Sequence, residues 1–157
     1  MRKLDRTDYM ILDILQKDGR IAISELASKV NLSTTPCSER VKRLERDGVI
    51  TGYYARLNPS YVERNLLVFL EIKLSAKSGD VFDNVAVNLA DIPEVLECHL
   101  ISGEFDYLVK ARLKEMGAYR RLLADILKKL PASASSHSYI VMEEIKETLY
   151  LDLKRKI

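Results

Sequence analysis

The chain has 157 residues, room for one domain or two small ones, and its 47% hydrophobic and 31% charged content is ordinary for a soluble globular protein. The formal charge of +2 is unevenly placed: residues 1–58 carry 11 Lys/Arg against 8 Asp/Glu, residues 59–157 carry 14 against 15. Cys37 and Cys98 lie far apart without CxxC spacing, which argues against a zinc site or disulfide framework and for a reducing cytoplasm. No signal peptide is visible, and no apolar run approaches the roughly 18 residues that a membrane span needs.

Residues 4–19 read as a first helix: Asp5 and Asp8 resemble a cap pair, Tyr9, Ile11, Leu12, Ile14 and Leu15 supply core, and Gly19 stands at the stop. In 21–47, Ile23, Leu26, Ala27 and Val30 form one apolar stripe. Asn31 tolerates the left-handed turn conformation, Ser33 takes the N-cap position and Pro36 still lies in the first turn. The second helix puts Cys37, Val41 and Leu44 on its inner side, and Thr35, Ser38, Glu39, Lys42 and Arg46 on the other. Such a pair suits a helix-turn-helix whose second helix enters a DNA major groove. Any surface helix also has a charged face, and four basic against three acidic residues across 35–48 leave a net of only +1. The turn, the cap and the short second helix carry the assignment, not the charge.

VITGYYARLNP (49–59) reads as a strand, giving the outline of a winged helix-turn-helix in which Tyr53, Tyr54 and Arg56 either pack or touch phosphate. NPSYVERN (58–65) reads as a hinge. The remainder repeats with an offset of 38 residues: Phe69-Leu70 matches Tyr107-Leu108, Pro93 matches Pro131, and His99 matches His137. Each half reads strand, helix, strand (66–74, 80–90, 95–101; then 106–113, 116–130, 135–145), so the pair predicts a ferredoxin-like βαββαβ domain. The fold class is therefore α+β, with a DNA-binding domain over 1–58, a hinge over 59–65 and a second domain over 66–157.

The stripes Val81/Phe82/Val85/Leu89 and Met116/Tyr119/Leu123/Ile126/Leu127 are expected to cover one face of its sheet. The other face has no helix left to cover it, which predicts association with another copy. The tail TLYLDLKRKI (148–157) alternates and is expected to add a strand.

No catalytic constellation emerges, so the chain is not expected to be an enzyme, nor to need a cofactor or metal. His99 and His137 lack a third ligand partner, and Cys37 is better explained as a small core residue. The loop Ser102-Gly103-Glu104-Phe105-Asp106-Tyr107 has two readings. It is a plain turn, or a site where backbone N–H groups meet a carboxylate while Asp106 receives an ammonium, as a free amino acid requires.

LDRTDYMILDILQKDGRI, ELASKVNLSTTPCSERVKRLE and GYYARLNP resemble the DNA-binding half of the Lrp/AsnC transcription regulators. ECHLISGEFDYLVKAR, MGAYRRLL and YIVMEE resemble their ligand-binding half, the RAM domain, so the likeness spans nearly the whole chain. It implies a cytoplasmic, nucleoid-associated regulator: dimers that join into octamers or similar rings, wrap double-stranded DNA and respond to an amino acid, leucine first. It assigns DNA contact to Thr34, Thr35, Ser38, Glu39, Arg40 and Lys42, to which the helix geometry adds Arg46. It assigns the effector, between RAM domains of neighbouring dimers, to Leu100, Gly103, Glu104, Asp106, Met116, Tyr139, Ile140 and Val141. Thr34 stands where Pro is usual, Ser38 where Leu is, and Glu104 where Asp is; the first two bear on base preference, the last on effector identity. Two other functions compete: a DNA-wrapping architectural protein with little sequence preference, and an amino-acid sensor acting on an enzyme partner.

Overall fold

The computed structural model describes residues 3–75, 78–131 and 134–156. Packing divides the chain into two units: residues 1–56 with 146–157, and residues 57–145. The sequence division at 66–157 differs at the tail, which lies with the N-terminal unit.

In that unit α1 spans Arg6–Lys17, α2 Ile23–Lys29 and α3 Thr34–Arg46. The start of α1 is closed by a reciprocal cap: Asp8 N–H donates to Asp5 Oδ1 at 2.8 Å and Asp5 N–H to Asp8 Oδ2 at 3.2 Å. Asn31 has φ 55°, so the turn between α2 and α3 uses the left-handed conformation its sequence indicates. Ser33 occupies the N-cap of α3, although its side chain makes no capping hydrogen bond. Ile11, Leu26, Ala27, Val30, Cys37 and Leu44 form the buried core.

The second unit is a four-stranded antiparallel sheet in the order β2-β3-β1-β4, with β1 Leu66–Lys73, β2 Val95–Leu100, β3 Tyr107–Leu113 and β4 Ser135–Ile140. Helices α4 (Gly79–Ala90) and α5 (Met116–Lys129) complete the βαββαβ order that the repeat predicts. Val68, Leu70 and Ile72 of β1 and Tyr107, Val109, Ala111 and Leu113 of β3 meet Val85, Leu89, Tyr119, Leu122 and Ile126 in one core. The α5 stripe is corrected here. Met116 and Leu127 are 50% and 45% exposed, while Leu122 is buried, because the inward row runs 119, 122, 126.

The uncovered face carries two rows across all four strands. Glu97, Lys110, Phe69 and Tyr139 stand side by side, and so do His99, Leu108, Glu71 and His137. Among the described residues its apolar groups include Phe69, Leu108 and the ring of Tyr139, with the buried Leu67 on the same face of β1 and charged and polar groups around them.

Two expected strands do not form among the described residues. Residues 51–58 and 148–153 join no strand ladder; the chain then makes a 3-10 turn at Lys154–Lys156, and Ile157 lies outside the described residues. Alternation supplies a strand's pattern, but a strand also needs a neighbour to receive its hydrogen bonds.

Candidate functional site

The exposed side of α3 carries Thr34, Thr35, Glu39, Lys42 and Arg46, with Ser38 half-buried beside them. These are the residues the sequence assigns to DNA, and one helix face brings them together. Arg40 differs. Its Nη1 donates to Asp5 Oδ2 at 2.6 Å and to Asp8 Oδ1 at 2.7 Å. Those hydrogen bonds, Asp5 first, push its guanidinium above the usual value. The side chain that sequence gives to DNA is therefore held between α3 and the start of α1. Arg43, which the sequence reading passed over, donates from Nη2 to the same Asp8 oxygen at 2.6 Å. Asp8 itself is 2% exposed.

Tyr53 packs against the end of α1, where a Cβ added to Gly19 would lie 3.2 Å from its ring, and its hydroxyl donates to Glu45 Oε1 at 3.0 Å. Burial first, then Glu45, pushes its phenol up to about 12. Tyr53 is thus tied to Glu45 at one end while remaining 47% exposed, and Tyr54 is 80% exposed.

The tail completes this unit. The Gln16 side chain pairs with the Leu151 main chain in both directions, Leu151 N–H donating to Oε1 at 2.8 Å and Nε2 donating to the Leu151 carbonyl at 3.1 Å. The Tyr150 hydroxyl donates to Asp13 Oδ1 at 2.6 Å, and Lys17 Nζ lies 5.4 Å from the centre of the Tyr150 ring.

In the second unit the expected effector residues fall into two groups. Leu100, Gly103, Glu104 and Asp106 lie on or beside the β2–β3 loop, which is pinned to the end of β1: Asp106 N–H donates to the Ile72 carbonyl at 2.8 Å. Gly103 has φ +156°, a conformation that side-chain-bearing residues rarely adopt. Ile140 and Val141 lie at the other end of β1, Ile140 opposite Val68 and Val141 N–H donating to the Leu67 carbonyl at 3.0 Å. Met116, at the start of α5, follows the end of β3 opposite Leu66 and so shares that second end. The Tyr139 hydroxyl donates to Glu71 Oε2 at 3.0 Å on the uncovered face.

Asp106 does not present a free carboxylate. It is 5% exposed, and its Oδ2 accepts the Leu74 N–H at 2.7 Å. That bond braces the loop, since an N–H of the buried Leu74 needs an acceptor.

Burial raises both thiols, Cys37 inside the helical core and Cys98 under the sheet. His99 Nε2 stands 3.3 Å from Glu97. No group of three or more His, Cys, Asp or Glu side chains that could hold a metal occurs among the described residues.

A helix-turn-helix joined to a βαββαβ domain is the arrangement of a DNA-binding transcription regulator with a ligand-binding domain, and the relatives it matches are regulators. Winged helix-turn-helix DNA-binding domains match residues 4–51, and the Lrp/AsnC ligand binding domain matches residues 67–151. The chain belongs to the Lrp/AsnC family. It is 50% identical to the leucine-responsive regulatory protein of Escherichia coli strain K12 over 155 residues, 99% of this chain and 94% of that protein. Among solved structures it is similar to an AsnC family transcriptional regulator from Agrobacterium tumefaciens, at TM-score 0.91 and 35% identity, covering 98% of this chain and 100% of the other. A Neisseria meningitidis transcriptional regulator in complex with L-methionine gives TM-score 0.88 at 35% identity, covering 99% and 100%.

Proposed function

We propose that this regulator reads specific DNA sequences as a homodimer that joins into an octamer, and that a free amino acid, leucine favoured, shifts its assembly and DNA affinity. It works in the cytoplasm, associated with the nucleoid. Thr34, Thr35, Ser38, Glu39, Lys42 and Arg46 face the DNA, while Arg40 supports them from behind.

The observation that carries this reading is the split of the effector residues between the two ends of β1. A strand advances about 3.3 Å per residue, so the end holding Val68 and the end holding Ile72 and Leu74 are over 10 Å apart, too far for one small ligand. A second copy supplies the missing half. Leu100, Met116, Ile140 and Val141 then offer apolar wall, the loop around Gly103 offers main-chain N–H groups, and Glu104 is the exposed carboxylate in reach of an ammonium. Asp106 holds that loop in shape. A ligand seated at a junction between copies favours one assembly over another, which is what an effector must do to shift an equilibrium. The leucine-responsive relative and the methionine-bound neighbour support an aliphatic or thioether side chain.

The test is a titration of the full chain on the DNA upstream of its own gene, beside a random duplex of equal length, at fixed salt, with and without millimolar leucine or methionine. Tighter binding to the upstream DNA, altered by leucine, is expected. Equal affinity for both duplexes would move the protein to the architectural class.

A further inference from the structure

Asp8 is the deeply buried carboxylate of the N-terminal unit, and what it holds bears on how that unit treats DNA. It caps α1 together with Asp5 and at the same time accepts Arg43 at 2.6 Å and Arg40 at 2.7 Å, the second guanidinium also reaching Asp5 at 2.6 Å. Helix α3 carries four basic residues, Arg40, Lys42, Arg43 and Arg46. Two of the four are directed into the domain. A guanidinium facing the buried Asp8 carboxylate has much of its potential cancelled, and if both left it for phosphate Asp8 would keep no cation at 2% exposure.

Contacts to phosphate add affinity without sequence information, so each cation offered to the backbone strengthens binding to every site in a genome alike. Specificity is a difference of affinities, and withholding a cation lowers the unspecific member of that difference. We infer that Asp8 is a specificity-determining positioning residue: it withholds Arg40 and Arg43 from the DNA backbone and leaves Lys42 and Arg46 as the cations α3 presents to phosphate. The inference rests on the DNA-binding activity of the family, not on the identity of the effector.

A purely structural Asp8 would change stability alone, so the deciding readout is the salt dependence of binding. The full chain and its D8N, R40Q, R43Q and K42Q variants are titrated by fluorescence anisotropy onto a random duplex and onto the DNA upstream of the gene, between 50 and 200 mM salt, with thermal melts run beside each. The Asn in D8N keeps a capping side chain but loses the charge. Each arginine released onto phosphate, counted in every copy bound, steepens the log K against log salt slope by about 0.9, a further loss of about 3.5-fold over that fourfold salt range. D8N is expected to bind the random duplex more tightly at 50 mM, with the steeper slope and a reduced preference for the upstream DNA. R40Q and R43Q are expected to keep the wild-type slope, while K42Q becomes shallower by about 0.9 for each copy bound to the duplex. A folded D8N with the wild-type slope would overturn the inference. So would R40Q or R43Q shallow enough to match K42Q, and these two decide the matter even if D8N fails to fold.

Discussion

A carboxylate at position 106 suits a ligand-binding loop and a structural brace alike, and the burial of its side chain and its bond to Leu74 show the brace. Asp106 takes the Leu74 N–H on its Oδ2, gives its own N–H to the Ile72 carbonyl, and accepts the Ile101 N–H on its main-chain oxygen. These bonds tie the β2–β3 loop to the end of β1. Asp106→Ala leaves the N–H of the buried Leu74 without its carboxylate, a loss of about 1–3 kcal/mol. The expected result is a lower urea midpoint with the slope unchanged. An unaltered midpoint would return Asp106 to the ligand. Glu104, exposed on the same loop, is the residue whose change to Ala should weaken the leucine response without moving that midpoint.

At the scale of elements, sequence periodicity was informative wherever neighbours in the chain decide the outcome. The Asp5–Asp8 cap, the left-handed Asn31 and the 38-residue repeat are local or self-similar features, and the structure contains all three. The roles of Arg40 and Arg43 were hidden because their partners lie 32–35 residues away. A cation on a helix face reads the same whether it meets solvent, DNA or a buried carboxylate. The inward row of α5 was misread for a related reason: Met116 and Leu127 are apolar, but only the sheet determines which apolar residues point at it.

The tail carries a prediction of its own. Asp13 receives Lys17 and then Tyr150, and those hydrogen bonds hold its carboxyl below the ordinary value. A lowered folded value means that the stabilisation is complete above the unfolded value, near 3.9, and disappears as pH falls through the folded one. Wild type and Asp13→Asn should therefore differ in melting temperature at neutral pH and converge below about pH 4. A constant difference across that range would show that the charge on Asp13 is not what retains Tyr150.

For the whole molecule, the uncovered sheet face is where a second copy is expected. Leu67, Phe69 and Leu108 form its apolar centre, Glu97 and Lys110 pair across β2 and β3 at 3.0 Å, and Arg112 is bonded to Glu144. An apolar centre with a polar rim is the arrangement of a protein interface. A carboxylate at the centre, Phe69→Glu, would be desolvated by any partner and should reduce the particle to a monomer in sedimentation, with the leucine response lost. An oligomer of wild-type mass would place the interface elsewhere.

The return of residues 146–157 to the N-terminal unit also governs when that unit can be finished. Gln16 and Leu151 are 135 residues apart, and Asp13 and Tyr150 are 137 apart. Helices α1 to α3 leave the ribosome well before the tail is made, at about 5–20 residues per second of synthesis. Their clasp with the tail has to wait until the intervening sheet domain has been made. A nascent chain therefore carries α1 to α3 for seconds before the tail that completes their unit exists, and that unit is finished only after the ligand-binding domain has been made.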